Sequence, residues 1–191
     1  MKKKIIFIMN PISGTASKAG IPNLIDSTLD KELFEYEIKL TERAGHASEL
    51  ATEAKNNHAD IVVAVGGDGT VNEVARSLVH SDTALGILPC GSGNGLARHL
   101  LLPMNLRKSI EVINACKIND LDYGVINGHP FFCTCGMGFD AFVSMKFAES
   151  GKRGPISYAE NILREGLKYE PETYTLEDET GTKQYKAFLI S

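Results

Sequence analysis

The sequence predicts an α/β fold: a parallel sheet with helices on both faces over residues 1–118, then the beginning of an antiparallel β-rich domain with helical insertions over 119–191. Three observations carry this. Short continuous apolar runs alternate with stripes at helical spacing. Three of those runs end in glycine-bearing polar loops. Near Cys116 the pattern changes to period-two alternation around an Asn-Gly pair.

The runs Ile5-Ile6-Phe7-Ile8, Ile61-Val62-Val63-Ala64-Val65 and Ala84-Leu85-Gly86-Ile87-Leu88 have no polar face, as expected of parallel strands covered on both sides. Residues 34–40 form a fourth, weaker strand. Ile21, Leu24, Ile25 and Leu29 follow helical spacing, as do Ala47, Leu50, Ala51 and Ala54. Val71, Val74, Ala75, Leu78 and Val79 make the clearest stripe. Thr70 followed three residues later by Glu73 predicts a capping box at its start. Leu106, Ile110 and Ile113 mark one more helix. Repeated βα units of this kind give a doubly covered, Rossmann-like sheet.

After Cys116, Leu121, Tyr123 and Val125 alternate with other residues, and Asn127-Gly128 signals a type I′ hairpin before Phe131, Cys133 and Cys135. Helices are expected around 140–148 and 158–168. A strand over 173–176, a turn near Thr180-Gly181 and a strand-like run over 185–190 complete the chain.

Composition narrows the function. Hydrophobic residues at 43% and charged residues at 23% are ordinary for a globular protein of 191 residues. A net charge of −4 argues against nucleic acid as a partner. The four cysteines form no C-x-x-C pair and read as reduced thiols in a cytoplasmic setting. The apolar run in MKKKIIFIMN is too short for a signal peptide, and no stretch is long enough to span a bilayer, so any membrane association is peripheral. Neither a Walker A pattern, a G-x-S-x-G elbow around Ser92, nor Cys/His zinc spacing occurs. Gly136, Gly138 and Ala141 match a loose G-x-G-x-x-A pattern outside any βαβ unit, which reads as packing.

The glycine loops are NPISG (10–14), GGDGTVNE (66–73) and PCGSGNGLAR (89–98). In a parallel sheet all three open at one edge, where such sheets bind ligands. Glycines let backbone N–H groups approach an anion, and helices starting at Thr70 and after Asn94 aim their N-termini there. Thr41, at the end of the second strand, points to the same edge. Asp68 among these groups would repel a phosphate unless Mg²⁺ bridged them. The plainer reading is three tight βα turns with glycine at crowded positions.

Together, NPISG, GGDGTVNEV and GSGNGLAR resemble the catalytic domain of diacylglycerol and sphingosine-type lipid kinases over residues 3–130, and residues 138–141 (GFDA) resemble a segment of that family's second domain. NAD kinases and phosphofructokinases share the GGDG core; the flanking loops favour the lipid kinases. The resemblance implies an ATP- and Mg²⁺-dependent phosphotransferase acting on a lipid hydroxyl, with the substrate received between two domains. Its nucleotide pocket would comprise Asn10, Pro11, Ser13, Gly14, Thr41, Gly67, Asp68, Gly69, Thr70, Asn72, Glu73 and Ser92, with Asp68 at the metal. The three-loop reading adds Gly66, Gly91, Gly93 and Asn94. The family pattern continues through a D-G-E-like motif that carries the proposed general base. No D-G-E occurs here, so the base is expected outside this chain, with Asp120, Asp122 and Asp140 as weaker substitutes. An incomplete kinase of this kind should expose unpaired strand edges and associate.

The implied partners are nucleotide and a lipid substrate met at the membrane surface, with a homodimer left open. A kinase of a soluble substrate such as NAD, and a non-catalytic nucleotide-binding module, are the alternatives. For the membrane side, the candidate rim is Leu100, Leu101, Leu102, Pro103 and Met104 with Arg98, Arg107 and Lys108; the competing expectation is that these leucines pack the helix end into the core.

Overall fold

The computed structural model describes residues 2–12, 18–149 and 169–191, which divide into two compact units, Met1–Cys133 and Thr134–Ser191. In the first, strands β1 (Lys3–Met9), β2 (Phe34–Leu40), β3 (Ile61–Gly66) and β4 (Ala84–Pro89) form one parallel sheet in the order β2-β1-β3-β4.

Every second side chain of β1 and β3 meets a different helical layer, so both strands are apolar throughout. Ile6, Ile8, Val62 and Ala64 pack against Ala47, Ala51 and Ala54 of α2 (His46–Asn56) and Val71, Val74 and Leu78 of α3 (Asp68–Leu78). Ile5, Phe7, Val63 and Val65 pack on the opposite face against Ile21 and Ile25 of α1 (Ile21–Thr28) and Ile110 and Ile113 of α5 (Leu106–Asn114). Burying each such aliphatic side chain contributes roughly 1.5–3 kcal/mol. The edge strand β2 carries Glu35, Glu37 and Lys39, which explains its weaker signal.

Helix α3 begins at Asp68, two residues before the expected start, and Gly67 is its extended N-cap without a side-chain cap bond. The capping box is therefore not formed. Thr70 is buried within the first turn, and the Glu73 carboxylate accepts instead from Gly45 N–H (3.0 Å) and Ala47 N–H (3.2 Å) at the start of α2.

The hairpin β5 (Gly124–Ile126) and β6 (His129–Phe131) turns at Asn127 (φ 50°) and Gly128 (φ 77°), the left-handed pair that a type I′ turn requires. Tyr123 and Phe132 flank it. Tyr123 Oη bonds His80 Nε2 at 2.8 Å, and Phe132 packs on the α2–α3 layer. The first unit thus runs on through Cys133, with the hairpin as part of it.

In the second unit, β7 (Met137–Gly138) pairs antiparallel with β10 (Leu189–Ile190), and α6 (Phe139–Glu149) follows β7. Strands β8 (Glu172–Asp178) and β9 (Gly181–Ala187) pair with each other. Phe139, Phe142, Tyr169 and Phe188 form an aromatic cluster, with Phe139 and Phe188 centroids 4.6 Å apart. Gly138, at φ 96°, would drive a Cβ to 2.7 Å from the Phe188 carbonyl oxygen, so the G-x-G pattern here serves close packing. The helix expected over 158–168 lies outside the described residues. No helix among the described residues is long and apolar enough to cross a membrane.

The β8–β9 ribbon is exposed along most of both strands, and a two-stranded ribbon is marginal by itself. Its amides should exchange with solvent by local opening, at least about a hundredfold faster than those of β1 and β3, which require global unfolding. Equal protection of β3 and β9 in a hydrogen-exchange time course would contradict this.

Candidate functional site

Strand order places the site. From β1 the chain moves to β2 on one side, then crosses to β3 on the other, so the segments leaving β1 and β3 part at their carboxyl ends. A crevice at such a reversal is where open α/β sheets bind ligands. A cleft of about 330 Å³ lies there, lined by Asn10, Pro11, Thr41, Gly67, Gly69, Thr70 and Glu73, with Ile12, Ala47 and residues 42–44 completing its wall. A larger depression beside Ser48, Thr52 and Asn56 is an open patch on the outer face of α2, away from the glycine loops.

Asn10 ties the β1 loop to its neighbours. Its side-chain oxygen accepts from Ile12 N–H (3.0 Å), its amide nitrogen approaches Thr70 Oγ1 (3.5 Å), and its N–H donates to the Val65 carbonyl (3.1 Å). Lys18, a residue the sequence reading passed over, is 6% exposed and donates from Nζ to the Asn10 carbonyl at 2.6 Å. One lysine ahead of a helix looks like a solvated charge, so nothing local in the sequence marks it. Burial pushes the nearby Cys90 thiol up, with Lys18 opposing, so the thiol stays protonated at neutral pH. Thr41 is buried and held by its N–H on the Met9 carbonyl (2.9 Å).

The glycines divide into two groups. Gly67 and Gly91 meet backbone to backbone: a Cβ on Gly91 would lie 2.5 Å from Gly67 Cα and 2.9 Å from Asn94 Oδ1. A Cβ on Gly93 would lie 2.6 Å from Asp68 Oδ2, and one on Gly66 would collide with the Thr70 side chain. Gly67, Gly91 and Gly93 let the β3 and β4 loops touch, and Gly66 makes room for Thr70 within the β3 loop. Gly69 differs: it lines the cleft, and nothing lies within 4 Å of its virtual Cβ.

Asp68 joins the two loops. Asn94 N–H donates to its Oδ2 (2.8 Å) and Gly95 N–H to its Oδ1 (2.6 Å). Asn94, at φ 55°, closes a ring with Gly91 by accepting from its N–H and donating to its carbonyl, both at 2.8 Å. The sequence reading aimed the amides of α4 (Gly95–His99) at phosphate, but here Asp68 occupies them. The first turn of α3 carries amides with no intrahelical acceptor and the positive end of its dipole.

Cleft and loops thus bring together Asn10, Pro11, Thr41, Gly66, Gly67, Asp68, Gly69, Thr70, Glu73, Gly91, Gly93 and Asn94. Asn72 and Ser92 are exposed and do not line the cleft. Ser13 and Gly14 lie outside the described residues. Asp120 and Asp122 are exposed ahead of β5 and do not line the cleft, and Asp140 starts α6 with its Oδ1 accepting from Ala141 N–H.

Among the described residues no group of three or more His, Cys, Asp or Glu could hold a metal by itself. That fits Mg²⁺ only in company, since Mg²⁺ takes one or two carboxylates plus phosphate and water oxygens. Asp68 is exposed, and each carboxylate oxygen keeps a lone pair beyond the one its amide uses. One carboxylate beside open anion-facing amides therefore fits a metal–phosphate ligand and not a bare cation.

A sequence model of the diacylglycerol kinase catalytic domain matches residues 4–126. A protein named "Putative lipid kinase" from Streptococcus pneumoniae serotype 4 is 32% identical over 184 residues, covering 94% of this chain and 62% of the relative. A diacylglycerol kinase from Staphylococcus saprophyticus is 32% identical over 163 residues, 83% of this chain and 53% of the relative. The chain thus spans little more than half the length of these relatives. The crystal structure of a diacylglycerol kinase from Bacillus anthracis str. Sterne superposes with a TM-score of 0.70 at 23% identity, over 98% of this chain and 64% of the other, and shows the shared fold.

Proposed function

The chain belongs to the diacylglycerol kinase catalytic domain family, and on that premise we propose that it forms the nucleotide-binding part of a kinase that transfers a phosphoryl group from Mg²⁺-ATP to a lipid hydroxyl. The observation that carries this is the cleft at the β1/β3 reversal, where Gly69 leaves open space beside the first turn of α3, the turn that Asp68 begins. In this reading the α3 amides bind the phosphates, and Asn10 and Lys18 fix the β1 loop as one wall. Thr41 and Glu73 set the opposite wall. Asp68 offers an oxygen to the metal while holding the β4 loop against the β3 loop. Mg²⁺ supplies charge neutralisation of the phosphates, the main demand of phosphoryl transfer. The family and the named relatives support a diacylglycerol-type acceptor, and in this reading the whole protein acts peripherally at the membrane from the cytoplasmic side.

Calorimetry with ATP, in Mg²⁺ and in chelator, tests the site. Wild type should bind more tightly in Mg²⁺, and Asp68→Asn should lose that difference. The same change sets an amide NH₂ against one of the Asn94 and Gly95 donors, so the variant should also melt slightly lower, by about 1 kcal/mol for an exposed pair. If Mg²⁺ enhances ATP binding equally in both proteins, Asp68 is a loop clasp and not a metal ligand. Transfer of labelled phosphate to diacylglycerol in mixed micelles, against NAD as the competing acceptor, tests the substrate class in the whole protein.

A further inference from the structure

We propose that the turn at residues 100–104 is a membrane-contact tip that seats the β4 loop, which Asp68 clasps to the β3 loop, on an anionic bilayer. The inference rests on the lipid-kinase reading for why a bilayer is the partner; the surface itself is read from the structure. Helix α4 ends at His99 with Leu100 as its C-cap, and the chain reverses through Leu101 at φ 56°. A left-handed residue after a helix is usually glycine, because a Cβ is disfavoured there. Here it is a leucine, and its side chain is 89% exposed. Leu100 and Met104 are also exposed. A residue that is both strained and apolar in water breaks two local rules at once.

The two expectations for this segment divide between its side chains. Leu102 turns inward, packs on the α2–α3 layer and anchors the turn through its N–H on the Ala97 carbonyl (2.8 Å). Leu100 and Leu101 turn outward, and Met104 is partly exposed. Met104 also fixes where the tip sits: its Sδ is 3.9 Å from Asn94 Nδ2, in the ring that closes the β4 loop.

Charge identifies the occupant. The chain carries a net −4, yet no Asp or Glu occurs from Thr83 to Ile110. Within that stretch Arg98, Arg107 and Lys108 are all exposed and lie within four residues of the apolar tip in sequence. Apolar side chains that enter the acyl boundary, ringed by cations that meet lipid phosphates, are what a peripheral anionic-membrane site requires.

The test is co-sedimentation of the full chain with vesicles of phosphatidylglycerol and phosphatidylcholine, and with phosphatidylcholine alone, at low and high salt. Wild type should bind the anionic vesicles, release in high salt, and leave pure phosphatidylcholine largely unbound. Leu101→Gly should lower the partition about tenfold through lost apolar burial, with an equal or higher melting temperature because glycine accepts the left-handed backbone. Arg107→Gln with Lys108→Gln should lower it roughly fivefold for each charge removed. Retention of wild-type partition by Leu101→Gly overturns the proposal, as does equal binding to both vesicle types. If Leu101→Gly changes the sedimentation-velocity mass and not the partition, the tip is a contact between copies of the chain and the proposal fails. ATP calorimetry on the same samples separates the two readings: vesicle binding without Mg²⁺-ATP binding removes the kinase reading and leaves the tip standing.

Discussion

Replacing Gly91 with Ala should lower the melting temperature by about 2–12 °C and abolish Mg²⁺-ATP binding, whereas Gly69→Ala should abolish binding with the melting temperature held or raised. At Gly91 the new methyl would lie 2.5 Å from Gly67 Cα and 2.9 Å from Asn94 Oδ1, and the first of these is backbone that cannot rotate away. Overpacking of this kind costs about 1–3 kcal/mol, and each kcal/mol shifts the midpoint of a chain this long by about 2–4 °C. Parting the β3 and β4 loops would also pull Asn94 and Gly95 from Asp68. At Gly69 the methyl enters open space at a position without positive φ, in the first turn of α3. There, Gly→Ala gains about 0.4–1 kcal/mol by restricting the unfolded chain. The same methyl would occupy the place a phosphate oxygen needs. Thermal melts paired with calorimetry read both variants. If Gly69→Ala binds Mg²⁺-ATP as wild type does, the phosphates do not lie over the α3 start.

The contrast between Gly69 and Gly91 also shows where a sequence stops being readable. Both stand in glycine loops at the sheet edge, and both read as room for an anion. Only neighbouring atoms distinguish a glycine that admits a ligand from one that admits another loop. The sheet was legible because β1 and β3 are buried on both faces, which forces continuous apolar runs. Asn127-Gly128 was legible because the turn type demands φ > 0 at both residues. Interactions between distant segments were not. Thr70 and Glu73 satisfy the capping-box spacing, yet Gly67 is extended and the helix starts earlier, so Glu73 is released to serve a segment 28 residues away. Lys18 against the Asn10 carbonyl, and Met104 against Asn94, leave no periodic trace at all.

Glu73→Ala should therefore cost more than removal of a half-buried surface carboxylate. Helix α2 has Gly45 as its N-cap, in the left-handed conformation at φ 80° and without a side-chain cap of its own. The carboxylate of Glu73, from α3, accepts both Gly45 N–H and Ala47 N–H, and Ala47 is 2% exposed. Removing it leaves two donors at a helix start unsatisfied, one of them out of reach of bulk water, at a cost of about 1–3 kcal/mol. The consequence reaches the cleft, because the segment from Thr41 to the start of α2 forms one of its walls. Nucleotide affinity should fall with stability in Glu73→Ala. Glu73→Gln keeps one acceptor and should lie between, since its NH₂ opposes the second donor. Hydrogen exchange separates this positioning role from direct ligand contact: in ligand-free protein the Gly45 and Ala47 amides should lose protection in the Ala variant while the β3 amides keep theirs. Wild-type protection at Gly45 and Ala47 together with lost nucleotide binding would mean that Glu73 touches the ligand itself, and the cap would be incidental to the site.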